Sequence, residues 1–308
     1  MLEQPLPSGV HVALATPLTS DFEIDTEGTR RLVEHVITGG IYGLNVMGST
    51  GEVASLSEPK RRLLVRTVME VNQGRVPVIT ALAQNNFEDA LREIDSLASQ
   101  GVRGVLVTPP SYYPTTTSGV DAYYRSLSEK ADLPILIYNI PQFTKIAVPP
   151  QTVAALARDG VVAGIKDSSR DFEYFTQLMY ATRGTPGFRV FTGSDTMLLA
   201  SLMLGADGTI AGGPNLEPRF AVELYRAFLS KDYRRAAELQ QRVVEMVLAT
   251  RKGVFPAGIK AGLEMMGICQ AFTAPPIPSL PVEEGESLAK VMRSLGILAG
   301  GEAAVRAA

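Results

Sequence analysis

Lys166 closes an apolar run, Val161-Val162-Ala163-Gly164-Ile165-Lys166, and hands over to the polar Asp167-Ser168. An amine delivered by a buried strand to a polar loop loses part of the water that stabilises its ammonium form, and the neutral form is the one that attacks a ketone. The competing reading is a solvated strand-end lysine paired with Asp167. Tyr138 ends another apolar run, Pro134–Tyr138. If the two runs are neighbouring strands, its phenol lies within reach of the oxygen that the attack produces. Amine and phenol together suit imine chemistry. Addition to a ketone gives a carbinolamine, loss of water gives a cationic imine, and that cation eases carbon–carbon cleavage or proton loss at the adjacent carbon. The ordinary reading of Tyr138 is a buried ring with a hydrated hydroxyl.

Gly48-Ser49-Thr50-Gly51-Glu52 follows a third run. Glycines there let main-chain N–H and hydroxyl groups approach a bound carboxylate, although a plain turn with an N-cap has the same composition. The segment lacks the GxxxxGK[ST] spacing of a phosphate loop. Tyr112-Tyr113, flanked by Pro109-Pro110 and Pro114, forms a stiff aromatic loop suited to a proton relay or to packing between subunits. Lys260 is a second lysine in apolar company, but it falls in a helical pattern far along the chain.

The elements that must position these groups alternate along the chain. Strands are predicted at Val10–Ala15, Gly43–Met47, Val76–Ala81, Gly104–Thr108, Pro134–Tyr138, Val161–Lys166, Arg189–Thr192 and Gly208–Ala211. Amphipathic helices are predicted between them, at Glu58–Val71, Phe87–Ser99, Val120–Ala131 and Phe172–Thr182. Asp25 or Thr26 can cap the first helix, and Ser57 with Pro59 marks the second. Eight such units fit a closed (β/α)₈ TIM barrel of the α/β class, residues 8–218, better than an open doubly wound sheet. Strand signals then stop. Helical patterns at Arg219–Leu229, Tyr233–Ala249, Ala257–Met266 and Val282–Leu298 predict a C-terminal helical extension, residues 219–300. In such a barrel the reactive groups gather at the C-terminal ends of the strands. There, Ser49 and Thr50, Tyr112, Tyr138, Lys166, and Gly193-Ser194-Asp195 would share one mouth.

Composition narrows the partners. A net charge of −3 with no Lys/Arg-rich block argues against nucleic acid, and no apolar run approaches the length of a membrane span. With two histidines, one cysteine (Cys269) and no HExxH or CxxC pattern, neither a metal site nor an internal disulfide is expected, and the cysteine usage suits a reducing cytoplasm.

Three motifs in order, Gly48-Ser49-Thr50-Gly51-Glu52, Tyr138-Asn139-Ile140-Pro141 and Gly164-Ile165-Lys166, make the chain resemble the dihydrodipicolinate synthase and N-acetylneuraminate lyase superfamily of Schiff-base (class I) aldolases. The likeness runs from about Gly9 to near Leu298. It implies a TIM barrel with a C-terminal helical region, assembled as a homotetramer, acting on pyruvate or a pyruvoyl compound without metal or organic cofactor. By position it implies Lys166 as the imine-forming residue, Tyr138 as acid/base, and Ser49 and Thr50 as the carboxylate site, with Ser49 also in the proton relay. Tyr112 resembles a relay tyrosine donated across a subunit interface, with Tyr113 as the possible substitute. Gly193 and Ile210 resemble positions lining the pyruvoyl pocket, and Asp195 one that binds substrate hydroxyls. Phe143 occupies a further substrate-binding position, where the synthases carry an arginine for the second substrate's carboxylate. It cannot make that bidentate contact. Asp195 is followed by Thr196, where the sialic acid lyases place a second acid. What remains resembles the 2-keto-3-deoxy sugar acid aldolases, which release pyruvate and an aldehyde. A dehydratase or hydratase using the same imine, and a non-catalytic ketoacid-binding barrel, stay open on these residues.

Overall fold

The computed structural model describes residues 6–82 and 84–299; residue 300, the end of the expected helical extension, lies outside the described residues. Eight strands close into one barrel in chain order: β1 Gly9–Ala13, β2 Gly43–Val46, β3 Val78–Leu82, β4 Val105–Val107, β5 Ile135–Asn139, β6 Gly164–Asp167, β7 Arg189–Thr192 and β8 Gly208–Ala211. The helices between them are α1 Thr26–Thr38, α2 Glu58–Asn72, α3 Phe87–Ala98, α4 Thr117–Lys130, α5 Pro141–Thr144, α6 Pro150–Arg158, α7 Phe172–Thr182 and α8 Leu198–Met203. Four more, α9 Pro218–Leu229, α10 Tyr233–Thr250, α11 Ala257–Met265 and α12 Val282–Ser294, complete the (β/α)₈ barrel with its C-terminal helices. Among the described residues no helix is long and apolar enough to cross a membrane.

Every strand residue except Arg189 is buried. A parallel sheet covered on both faces has no solvent side, which is why its strands read as continuous apolar runs rather than alternating ones. The helices start where short polar side chains can accept an orphan N–H. Asp25 accepts from Gly28 N, Asn86 from Asp89 N, Thr116 from Gly119 N and Asp171 from Tyr174 N, at 2.8–3.1 Å. Ser57 holds the N-cap position of α2 without a side-chain cap bond.

The chain divides into two compact units. One comprises the described residues through His11, Tyr42–Asn45 and Pro77–Ala211. In it β3 to β8 pair in parallel register, with Tyr138 opposite Lys166 and Lys166 opposite Phe191. Gly208, at φ +151°, lies so close to the Gly9 backbone that any Cβ there would collide with it. Only glycine permits that approach. The other unit comprises Val12–Ile41, Val46–Val76 and the described residues from Gly212 on. Within it Asn215 donates to Ala13 O at 2.8 Å and accepts from Ala15 N at 2.9 Å.

Several predicted bounds shift, among them the end of α12, at Ser294 rather than Leu298, and the start of β6. β6 begins at Gly164 rather than Val161, because Val161 N bonds back to Leu156 O at 2.9 Å and closes α6. The helices α5 and α6 lie outside the predicted helix ranges; each begins at a proline, Pro141 and Pro150, where the missing N–H is no loss.

Candidate active site

β5 and β6 are neighbours, and their register sets Tyr138 opposite Lys166 and Asn139 opposite Asp167. Side chains alternate across a strand, so the first pair shares one face and the second pair the other. Lys166 Nζ lies 3.3 Å from the Tyr138 hydroxyl and 4.4 Å from the centre of its ring. Both residues are almost sealed from solvent, at 3% and 4% exposure. An enclosed amine in contact with a phenol is an arrangement that can support nucleophilic attack with a proton carrier in reach.

Asp167 is not the partner of Lys166. Its carboxylate accepts from Asn139 Nδ2 at 2.7 Å, Ser169 Oγ at 2.9 Å and Ser169 N at 3.2 Å. Asn139 in turn accepts from Val148 N at 3.1 Å, and Tyr174 donates to Val148 O at 2.6 Å. The network ties β5 to β6 one residue beyond the amine and phenol. Strand alternation was the signal that could have separated Asp167 from Lys166 in advance.

Burial pushes the Asp167 carboxyl up to about 6, against the hydrogen bonds from Asn139 and Ser169. Folding therefore takes up a proton between about pH 4 and pH 6, and stability falls as pH rises through that window. Above it the ionised group costs about 3 kcal/mol relative to the unfolded chain. Asp167→Asn keeps an oxygen for Asn139 and removes the charge. Denaturant unfolding should show the variant gaining on the parent by about 2 kcal/mol between pH 4 and pH 7; parallel pH profiles would dismiss this account of Asp167.

Gly193 follows β7 and its N–H bonds Asp167 O at 2.6 Å. A Cβ there would collide with the Ser168 side chain and come to 3.0 Å from Lys166 Cε, so glycine keeps the space beside the amine open. Asp195 and Ile210 are buried. Phe143 stands 57% exposed on α5, a helix tethered to β6's end by Gln142 Nε2 donating to Ser168 O at 3.0 Å. Tyr112 and Tyr113 are each 77% exposed and meet edge to face with centroids 5.0 Å apart. Asn85 Oδ1 holds their loop, accepting from Ser111 N at 2.8 Å and Tyr112 N at 3.2 Å.

These residues all belong to the first unit. Ser49 and Thr50 belong to the second, in a tight turn closed by Gly51 N to Gly48 O (2.9 Å) and Glu52 N to Ser49 O (3.2 Å). Thr16 Oγ1 donates to Gly51 O at 2.7 Å, and a Cβ on Gly51 would press on Leu14 O at 3.0 Å. Thr50 is buried and Ser49 half-buried. Lys260, the alternative amine, lies fully enclosed on α11 with its Nζ 2.6 Å from Glu52 Oε1. It is engaged in that pair and closed off from solvent. That pairing across 208 residues left no mark in the sequence beyond a lysine in an apolar helix.

The chain matches the dihydrodipicolinate synthetase family over residues 6–295. It is similar to the 4-hydroxy-tetrahydrodipicolinate synthase of Exiguobacterium sibiricum, 32% identical over 288 residues that cover 93% of this chain and 97% of the relative. The solved dihydrodipicolinate synthase of Thermotoga maritima has a TM-score of 0.92 at 30% identity, covering 95% of this chain and all of that one. YagE, a prophage protein of the same family from E. coli K12 solved in complex with pyruvate, has a TM-score of 0.90 at 25% identity, covering 94% of this chain and 99% of its own.

Proposed function

This chain belongs to the dihydrodipicolinate synthetase family, and we propose that it is a class I aldolase that reversibly cleaves a 2-keto-3-deoxy acid to pyruvate and an aldehyde. The observation that carries the reading is the enclosed contact between Lys166 Nζ and the Tyr138 hydroxyl at 3.3 Å. Lys166 adds to the C2 ketone, and the carbinolamine loses water to a cationic imine. Tyr138 takes the proton of the C4 hydroxyl. The C3–C4 bond breaks, its electron pair enters the imine, and an aldehyde leaves an enamine behind. Reprotonation at C3 and hydrolysis release pyruvate and restore the amine.

Ser49 and Thr50 hold the carboxylate of the keto acid, with Ser49 also in the proton relay. Gly193 and Ile210 bound the pyruvoyl pocket, and Asp195 takes substrate hydroxyls. The high exposure of Tyr112 and Tyr113 supports a relay residue completed in another copy, within a cytoplasmic homotetramer. Residues 8–218 carry the reaction and 219–300 are the C-terminal helical region.

Phe143 supports an aldehyde without a carboxylate, since a phenyl group offers an anion no counter-charge. Condensation of pyruvate with neutral hydroxyaldehydes should therefore outrun condensation with carboxylate-bearing aldehydes. Phe143→Arg should raise kcat/KM for the anionic aldehydes by about tenfold, equivalent to about 1.4 kcal/mol. Preference of the unmodified protein for an anionic aldehyde would overturn this assignment of substrate class.

A further inference from the structure

Glu52 and Lys260 form an ion pair with both side chains fully enclosed, Nζ to Oε1 at 2.6 Å, and the second carboxylate oxygen accepts from Ala274 N at 2.6 Å. Both oxygens thus have donors, one from α11 and one from the segment before α12. The residues of α11 around Lys260, Ala257 to Leu263, are all buried. Replacing such a pair by apolar side chains of similar volume is often neutral or stabilising, so its presence argues for specification of geometry rather than for strength.

The geometry in question is that of the Ser49–Thr50 turn. Glu52 has a left-handed backbone, φ +57°, a conformation that a residue with a Cβ holds only when its surroundings enforce it. Its own N–H bonds Ser49 O at 3.2 Å. Ile259, the neighbour of Lys260, crowds the same place as Thr50. A Cβ built on Gly212 would stand 3.0 Å from Ile259 Cδ1 and 3.3 Å from Thr50 Oγ1. One charged contact therefore clamps the end of the turn, and Ile259, the residue before Lys260 on α11, lies beside the same Gly212 position as Thr50.

We propose that Glu52 and Lys260 are positioning residues that hold the Ser49–Thr50 turn in its carboxylate-binding shape, so that α11 sets the affinity for the keto acid. The inference rests on Ser49 and Thr50 being the carboxylate site. The double variant Glu52→Leu/Lys260→Met removes the charges together and leaves neither unpaired. It should melt within a few degrees of the parent and still form the borohydride-trapped adduct at saturating pyruvate. Its KM for the keto acid should rise about tenfold with kcat within about threefold, a split that loss of folded protein cannot produce. Glu52→Gln, which keeps the shape and the acceptor for Ala274 N–H, should raise KM in the same direction and serves if the double variant does not fold. A parent-like KM in a folded double variant, or in Glu52→Gln, overturns the proposal. Ser49→Ala and Thr50→Ala separate the two ideas. If they raise KM while the clamp variants do not, positioning by Glu52 and Lys260 is wrong; if they leave KM unmoved, the carboxylate reading fails and the inference with it.

Discussion

Lys166→Ala is expected to fold and to lose turnover by about 10⁴-fold or more, because no other group replaces the covalent step. Incubation of the parent with pyruvate and borohydride should place a 1-carboxyethyl group on Lys166, found by peptide mass mapping, and the variant should take up none. Stability should change little. The lysine already gives up most of its hydration in the fold, and its contacts with the Tyr138 ring are those that alanine forfeits. Labelling of the variant at another lysine, Lys260 above all, would mean that the nucleophile has been misassigned. A parent that binds pyruvate but is never labelled would be a ketoacid-binding barrel rather than an enzyme.

Tyr138→Phe carries the second large effect. The substitution keeps the ring that Lys166 lies against at 4.4 Å and removes only the hydroxyl at 3.3 Å. The proton of the C4 hydroxyl then has no carrier in place, and kcat should drop by about 10²- to 10³-fold. The imine should still be trapped, more slowly, since attack by the amine does not require the phenol to break a carbon–carbon bond. Loss of one hydrogen-bonding group should cost about 1 kcal/mol of stability, which thermal unfolding can separate from the kinetic effect. Retention of kcat within about threefold would take Tyr138 out of the proton path and return it to the role of a packed ring.

The two variants test a pair whose members were each visible in the sequence for local reasons. Strands such as Arg189–Thr192 and Gly208–Ala211 are legible to the residue because apolar runs are cut by glycine and polar neighbours. Val161–Ala163 shows the limit of that signal. Its residues are as apolar as a strand, yet Val161 bonds back to Leu156 in α6 while Ala163 already bonds to Ile135 and Arg189 of the neighbouring strands, and only backbone pairing separates the two uses. The starts of the short helices α5 and α6 are ambiguous for a related reason: proline forbids a helix interior and favours a helix start, and the residue type alone does not say which.

Local periodicity and strand-end chemistry, acting over a few residues, determined by themselves that this chain alternates strand and helix and that an amine and a phenol close two of the strands. Only the closed barrel decided what those groups meet. Register across β5 and β6 joins Tyr138 to Lys166 over 28 residues and turns Asp167 to the opposite face, toward Asn139. The pairing of Glu52 with Lys260 over 208 residues depends on α11 returning to the turn after β2. Side-chain periods repeat within an element and carry no information about distant elements, so contacts of that range exist only once the whole chain has packed.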